Sequence, residues 1–191
     1  MEKKPLKKYP TIACCGLDCG LCPTYYTEGP SRCPGCCGPD FFDKHPSCSI
    51  ITCCVKKNGY ETCAECDDFP CSKIAKWDLG DSFISHKVSL SNLRLIKEMS
   101  IEKFVENQEK RIKLLELMLN QFNDGRSKSF FCIAVTLISI DGLNNILQAC
   151  EQQIKADHIS ISDLKSRSKI LKGLLRDQAA KDGIELKLRK P

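Results

Sequence analysis

The chain has 191 residues, a net charge of +5, and 42% hydrophobic and 28% charged residues. This composition is typical of a globular protein, and the longest apolar run, at 130–140, is shorter than the ~18 residues that a membrane-spanning helix needs. The positively charged amino terminus is not followed by the apolar stretch of a secretory signal. We therefore expect a cytoplasmic protein without a membrane span, whose modest charge does not favour nucleic-acid binding.

Cysteine dominates the first third of the chain. Thirteen of the fifteen cysteines lie between Cys14 and Cys71. Disulfides rarely persist in a reducing cytoplasm, so we interpret this concentration as metal coordination. Residues 10–76 are also rich in turn-forming Pro and Gly and poor in large aliphatic side chains. We predict a small irregular, metal-stabilised module of short α-helices and coil at 10–76, in which metal binding supplies folding energy.

Three cysteine clusters follow from the spacing. The first has the pattern Cys-x3-Cys-x2-Cys and ends directly before Pro23, and the other two contain the pairs "CPGC" and "CAEC". A Cys-x2-Cys turn lets two sulfurs converge on one ion while nearby backbone N–H groups stabilise the thiolates. The predicted metal ligands are Cys15, Cys19, Cys22, Cys33, Cys36, Cys48, Cys53, Cys63, Cys66 and Cys71.

The spacing leaves the identity of the metal and the pairing of the ligands open. Zinc is favoured because structural zinc prefers four thiolates and the "CPGC" and "CAEC" pairs resemble zinc knuckles. The alternative is an iron–sulfur cluster of the four-iron, four-sulfur type, since Cys15, Cys19 and Cys22 offer three thiolates and a proline follows the last of them.

The other cysteines have less evident roles. Cys14, Cys37 and Cys54 each lie directly beside a predicted ligand, and adjacent side chains point in different directions along a backbone. We interpret these three as small buried hydrophobic residues or incidental thiols, with their role left open. Cys132 and Cys150 lie on predicted helices and are expected to pack in a core.

Histidine adds little to this picture. His45 could replace one thiolate in a site of three cysteines and one histidine, but its surroundings resemble an ordinary turn. His86 and His158 have no thiol close to them in sequence, so we expect solvated or core positions.

Residues 77–88 connect the cysteine-rich module to a predicted α-helical bundle at 89–191. Trp77 and Phe83 in this connection either pin the two parts together or lie on a surface loop. The clearest helix spans 101–122, where apolar residues recur every three or four positions and Gln108 is the polar exception. Ser100 is a suitable N-cap, and Gly125 a suitable stop.

Further helices are predicted downstream and upstream of this one. They cover 90–99, 128–138, 142–156 with Asp141 as cap, and 163–181 with Ser160 or Ser162 as cap. The tail at 183–191 alternates apolar and charged residues, which predicts a short extended segment on the bundle.

The motifs "CGLDCGLCP", "RCPGC", "SCSIITC" and "CAECDDFPCSK", in this order, resemble the family catalogued as domain of unknown function 3795. These are cysteine-rich proteins found largely in anaerobic bacteria and archaea. The resemblance implies that the family's recurrent cysteines are the same ten that spacing selects, and that Cys14, Cys37 and Cys54 are extras of this chain. An anaerobic setting strengthens the iron–sulfur alternative.

These observations support several hypotheses about function. The leading one is a metal-binding module on a helical adaptor domain that contacts a protein partner. The alternative is an iron–sulfur protein that serves in electron transfer or as an enzyme accessory in anaerobic metabolism. A further hypothesis is an enzyme with a cysteine nucleophile. Such a cysteine needs an electropositive or histidine-paired setting, and only His45 lies near a clustered thiol in the sequence, that of Cys48.

Overall fold

The computed structural model describes residues 5–45, 48–77 and 80–189, which fall into two compact units. We call Met1–Gln108 with Leu188–Pro191 the N-terminal unit, and Glu109–Lys187 the C-terminal unit. The predicted boundaries at 76 and 88 depend on composition and stay a prediction, and residues 78–79 of the predicted connection lie outside the described residues. Within the described residues, every helix is too short or too polar to cross a bilayer.

Short turns and helices, rather than strands, organise the cysteine-rich segment 10–76 among the residues that the structure describes. Two positions, Gly16 and Gly35, have φ of +85° and +83°, a conformation that residues with side chains rarely adopt. The elements are the 3₁₀ turns Cys19–Leu21 and Cys63–Glu65, the helices α1 (Phe41–Lys44), α2 (Ser49–Ile51) and α3 (Ser72–Ala75), and the π-helical turn Thr52–Lys57. This segment is irregular, as predicted.

Aliphatic and aromatic side chains of the same segment are nevertheless buried. Ile12, Leu21 and Phe41 are between 0% and 4% exposed. Helix α4 (Ser89–Met99) adds Leu93 and Ile96, which are also buried. From its composition, the segment 10–76 was expected to have too few large apolar residues for a hydrophobic core of its own. The structure shows a core to which α4 also contributes.

Polar contacts hold α4 against the cysteine-rich segment. The hydroxyl of Ser89 donates a hydrogen bond to the carbonyl of Cys15, and Asn92 Nδ2 donates to the carbonyl of Gly16 at 2.9 Å. A Cβ atom at residue 16 would overlap the Ser89 carbonyl oxygen. Residue 16 is therefore glycine both for its positive φ and for this close approach of two backbones.

A buried carboxylate joins the same segment to two helices. Asp18 accepts hydrogen bonds from Asn92 Nδ2 and from Gln108 Nε2, both at 2.8 Å. Gln108 also donates to the carbonyl of Thr11 at 2.9 Å. Helix α5 (Ile101–Phe122) has the predicted bounds, and these bonds explain why its apolar face is interrupted by one glutamine.

The C-terminal unit is formed by the end of α5 and by α6 (Lys128–Leu137), α7 (Ile140–Ala156) and α8 (Leu164–Lys181). The predicted helices match these within two residues, but two predicted caps are wrong. Ser139, not Asp141, accepts a hydrogen bond from the backbone of Gly142, and Asp163, rather than Ser160 or Ser162, accepts one from Ser166. In each case the residue directly before the first helical turn is the one whose oxygen reaches the free N–H groups.

Large side chains fill the interior of this unit. Phe122, Phe131 and Leu171 are fully buried. Arg111 donates to the carbonyls of Val135 and Ile138 at the end of α6, at 2.5 and 2.7 Å, and thereby satisfies groups that the helix itself leaves free.

Candidate metal centre

The predicted ligands surround two separate cavities of the N-terminal unit. The larger cavity has a volume of about 220 Å³, and the smaller one about 30 Å³. The predicted ligands lining the larger cavity are Cys15, Cys19, Cys22, Cys33, Cys36 and Cys48. Those lining the smaller cavity are Cys53, Cys63, Cys66 and Cys71. The ten cysteines thus separate into a group of six and a group of four.

Two turns of the same geometry present cysteines to the two cavities. The N–H of Cys22 donates to the carbonyl of Cys19 at 3.1 Å, and the N–H of Cys66 donates to that of Cys63 at 3.3 Å. Cys22 and Cys66 have nearly the same backbone angles, with φ of −76° at both and ψ of 136° and 137°. Both of these Cys-x2-Cys pairs are therefore folded back so that their two residues line one cavity, and their binding of a metal stays a prediction.

Long-range backbone hydrogen bonds bring the clusters together. The N–H of Cys63 donates to the carbonyl of Cys14 at 2.9 Å, and the N–H of Cys36 donates to the carbonyl of Pro10 at 2.8 Å. The N–H of Cys33 donates to Thr24 at 3.0 Å. The first two of these bonds fix segments of chain that are about twenty-five to fifty residues apart in sequence beside one another at the cavities.

Burial favours the protonated form of two thiols of the larger cavity, Cys15 and Cys19. Removal from water raises the pKa of Cys15 to about 12 and the pKa of Cys19 well above its ordinary value, and neighbouring sulfurs add to both effects. A bound cation reverses this preference, because it stabilises thiolates, so that metal binding here releases protons. All fifteen cysteines are free thiols in the structure.

A third group of thiols was not predicted. The sulfurs of Cys14, Cys36 and Cys37 all lie within 4.8 Å of one another, and the Sγ atoms of Cys14 and Cys36 are 3.8 Å apart. We call these three residues the Cys14 cluster. All three are buried, with exposed fractions of 1%, 5% and 0%. Among the described residues, no set of three predicted ligands is as closely spaced.

The repeated Cys-Cys pair was the sequence signal for this cluster. Such pairs occur at 14–15, 36–37 and 53–54. Adjacent cysteines were expected to point in different directions and not to ligate one ion together, and this was wrong for Cys36 and Cys37, whose sulfurs lie within 4.8 Å of each other and of that of Cys14. Cys54, the third extra cysteine, is not part of this cluster, and its Sγ donates to the carbonyl of Tyr60 at 3.5 Å.

A buried lysine lies beside these sulfurs. Lys7 is 3% exposed, and its Nζ donates to the carbonyl of Ile12 at 2.5 Å. Burial alone would lower the pKa of Lys7, but the attraction of Cys36, Cys14 and Cys19 raises it above its ordinary value. The side chain is therefore an ammonium ion facing a thiol-rich interior. No sequence signal marks this lysine, because a buried lysine in a charged amino-terminal stretch has the same local pattern as a solvated one.

Two histidines line the larger cavity, and each is stacked on an aromatic ring. The ring of His86 is stacked on Trp77, and its nitrogens lie 3.0 Å from the Ser82 hydroxyl and 3.4 Å from the Trp77 carbonyl. His45 is stacked on Phe41 with ring centroids 4.8 Å apart. Proximity in sequence gave no indication that His86 lies on the wall of a thiol cavity.

Residues 82–84 and 86 form part of that wall, and the end of the chain holds them in place. Asp81 accepts from the backbone N–H of His86 at 2.7 Å and from Arg189 at 2.7 and 2.9 Å. Burial opposes ionisation, but these bonds hold the pKa of Asp81 at about 2. The tail was predicted to lie on the helical bundle, and Arg189 instead binds Asp81; the last two residues of the tail lie outside the described residues.

We expect Asp81→Asn to open this wall. Loss of the charged contact should raise the rate at which an aromatic disulfide reagent modifies the cavity cysteines by about tenfold at neutral pH, since hydrogen bonds to charged groups contribute more than neutral ones. Because the pKa is depressed, the contact stabilises the wall above pH 4 or so and is lost as the pH falls toward 2. Asp157→Asn, which changes an exposed carboxylate of the C-terminal unit, is the control, and equal rates in both variants would contradict the expectation.

The fold and the site define a helical protein whose cysteine-rich part gathers free thiols around two cavities. Residues 11–76 of the chain match the family described as "Protein of unknown function (DUF3795)", which confirms the resemblance seen in the motifs. The match covers the cysteine-rich segment and ends before α4. No curated protein and no solved structure shows significant similarity to the chain.

Proposed function

We propose that the cysteine-rich segment is a metal-binding domain with two thiolate sites, one at each cavity. The observation that carries the proposal is the separation of the ten predicted ligands into six around the larger cavity and four around the smaller. Each group is large enough to give a metal the four thiolates of a complete site. Free thiols at every cysteine position leave all of these ligands available.

At the smaller cavity we propose zinc. The four thiols of Cys53, Cys63, Cys66 and Cys71 are the number that a tetrahedral zinc site needs. A volume of about 30 Å³ suits one ion better than a cluster of several atoms. Zinc–sulfur bonds of about 2.3 Å place ligand sulfurs about 3.8 Å apart, so these side chains must turn inward as the ion binds.

The larger cavity favours the second candidate, an iron–sulfur cluster. Its volume of about 220 Å³ exceeds what a single ion requires. Cys15, Cys19 and Cys22 offer three thiolates, and Cys33, Cys36 and Cys48 supply choices for a fourth. Such a cluster, when bound, supplies one-electron transfer, while the surrounding apolar wall and His86 limit its contact with water.

Elemental analysis of two variants tests this assignment. We expect anaerobically purified protein to contain zinc, and the Cys66→Ser variant to lose about one equivalent of it. Cys19→Ser should leave that zinc in place and abolish iron, sulfide and the visible absorption of an iron–sulfur cluster. Cys132→Ser, which changes a fully buried thiol of the C-terminal unit, is the matched control and should retain every metal.

Two results would argue against the assignment. If native protein isolated without air contains neither zinc nor iron in stoichiometric amounts, the metal-binding function is wrong. If Cys66→Ser and Cys19→Ser reduce the same metal to the same extent, the two cavities do not hold separate sites.

A further inference from the structure

Two of the three extra cysteines, Cys14 and Cys37, meet in the fold. They form the Cys14 cluster together with Cys36, whereas Cys54 lines the smaller cavity. Both members of the 36–37 pair therefore belong to one group of sulfurs, of which only Cys36 is among the ten predicted ligands.

The spacing of this group is that of ligands around one ion. Bonds of about 2.3 Å to sulfur place three ligand atoms about 4 Å apart around a trigonal ion. The observed Cys14–Cys36 separation is 3.8 Å, and all three sulfurs lie within 4.8 Å of one another. Shifts of less than an ångström would complete the coordination.

We infer that Cys14, Cys36 and Cys37 form a third metal site, which binds monovalent copper, Cu(I). The site offers sulfur alone, and thiolates select soft ions such as Cu(I) over ions that prefer oxygen. Cu(I) is satisfied by two or three thiolates, whereas structural zinc requires a fourth ligand. Among the described residues, no fourth Cys, His, Asp or Glu ligand atom lies within 4.8 Å of all three sulfurs.

Lys7 supplies the charge that such a site needs. Three thiolates around a monovalent ion leave a net negative charge in the interior, which is costly unless a cation is nearby. The ammonium of Lys7 is buried, is attracted by Cys36 and Cys14, and has a neutral carbonyl, that of Ile12, as a hydrogen-bond acceptor. The ammonium would offset one of the two negative charges of such a copper–thiolate group.

Cys14 and Cys37 belong to neither the proposed zinc site nor the proposed iron–sulfur site. Cys36 is one of three choices for the fourth ligand of the cluster, and Cys33 or Cys48 fills that position when copper is bound. The test is an anaerobic titration of the full chain, with its native metals in place, by Cu(I) in competition with a chromophoric Cu(I) chelator. Zinc and iron released during the titration are measured in parallel. In the unmodified protein, we expect the first equivalent of Cu(I) to bind without releasing zinc or iron.

In Cys37→Ser and in Cys37→Ala, the first equivalent should bind about 100-fold more weakly, or bind only as zinc or iron is released. Cys132→Ser, another fully buried thiol, should bind as the unmodified protein does. Unchanged affinity in both Cys37 variants would overturn the inference. Release of zinc or iron by the first equivalent in the unmodified protein would overturn it as well.

X-ray absorption of the unmodified protein with one equivalent of Cu(I) provides a test that does not depend on the folding of a variant. Three sulfurs at about 2.3 Å are expected, and a shell with two sulfurs or with nitrogen would overturn the site. Protein that carries no native zinc or iron, but still binds one Cu(I) in this way, would disprove the proposed function and leave the copper site standing.

Lys7→Gln tests the role of the ammonium. Loss of the buried positive charge should weaken binding of the first Cu(I) by about tenfold or more, because charge interactions are poorly screened in the interior. Lys8→Gln, which changes the exposed neighbouring lysine, is the control. Equal affinities in the two variants would show that Lys7 does not compensate the site.

Discussion

Removing metal from the native protein is expected to make the cysteine-rich segment, residues 10–76, sensitive to proteases while the C-terminal unit stays folded. Structural zinc contributes on the order of 10 kcal/mol to the folding free energy of small domains, and a thiol-lined interior without its ion loses that contribution. The rate of cleavage within 10–76 should rise by at least about tenfold after chelation, because the open state is populated more often.

Limited proteolysis with mass spectrometry of the fragments measures this effect on the full chain. The C-terminal unit has its own buried interior, with Phe122, Phe131 and Leu171 fully enclosed, and should yield a resistant fragment under both conditions. Readdition of zinc should restore resistance. If the segment resists cleavage equally well with and without metal, its apolar core, to which α4 contributes, is sufficient and metal has no structural role.

Asp18→Ala is expected to destabilise the N-terminal unit by about 3 kcal/mol, the largest effect of a single substitution outside the cysteines that we predict. The carboxylate is 5% exposed and accepts from the side chains of Asn92 and Gln108. Its removal leaves two buried amide donors unsatisfied, and each such group costs about 1–3 kcal/mol. The loss also separates the first cysteine turn from α4 and α5.

Urea unfolding at a fixed metal concentration measures this difference, since bound metal adds its own contribution to stability. The control is Asp67→Ala, which removes an exposed carboxylate of the same segment and should change the free energy of unfolding by less than about 0.5 kcal/mol. Equal stability of the two variants would mean that Asn92 and Gln108 find other acceptors and that Asp18 does not hold the helices in place.

The long helices could be predicted from the sequence because their signals are local. The bounds of α5 follow from apolar residues at helical spacing and from Gly125 after its end, which has φ of +83°. The caps of α7 and α8 were harder to predict, since several polar residues stand near each helix start and backbone geometry selects one of them.

The ten predicted ligands also follow from local spacing, and the structure places all of them on the walls of two cavities. Spacing could not assign them to six and four, because that division depends on hydrogen bonds such as Cys63 to Cys14, which close loops of about fifty residues. It also gave no reason for the glutamine at 108, whose amide donates to Asp18 from ninety residues away.

By itself, the sequence determined that this protein has a cysteine-rich part, with Cys-x2-Cys pairs in backbone turns, and a helical part. Both parts follow from the identity and spacing of neighbouring residues. Only the tertiary structure decided that Cys14, Cys36 and Cys37 meet, that Lys7 is buried beside them, and that His86 lies on the wall of a thiol cavity. The physical reason is that the charge state and the contacts of a side chain depend on the distant segments that bury it. A local sequence pattern does not show which segments these are.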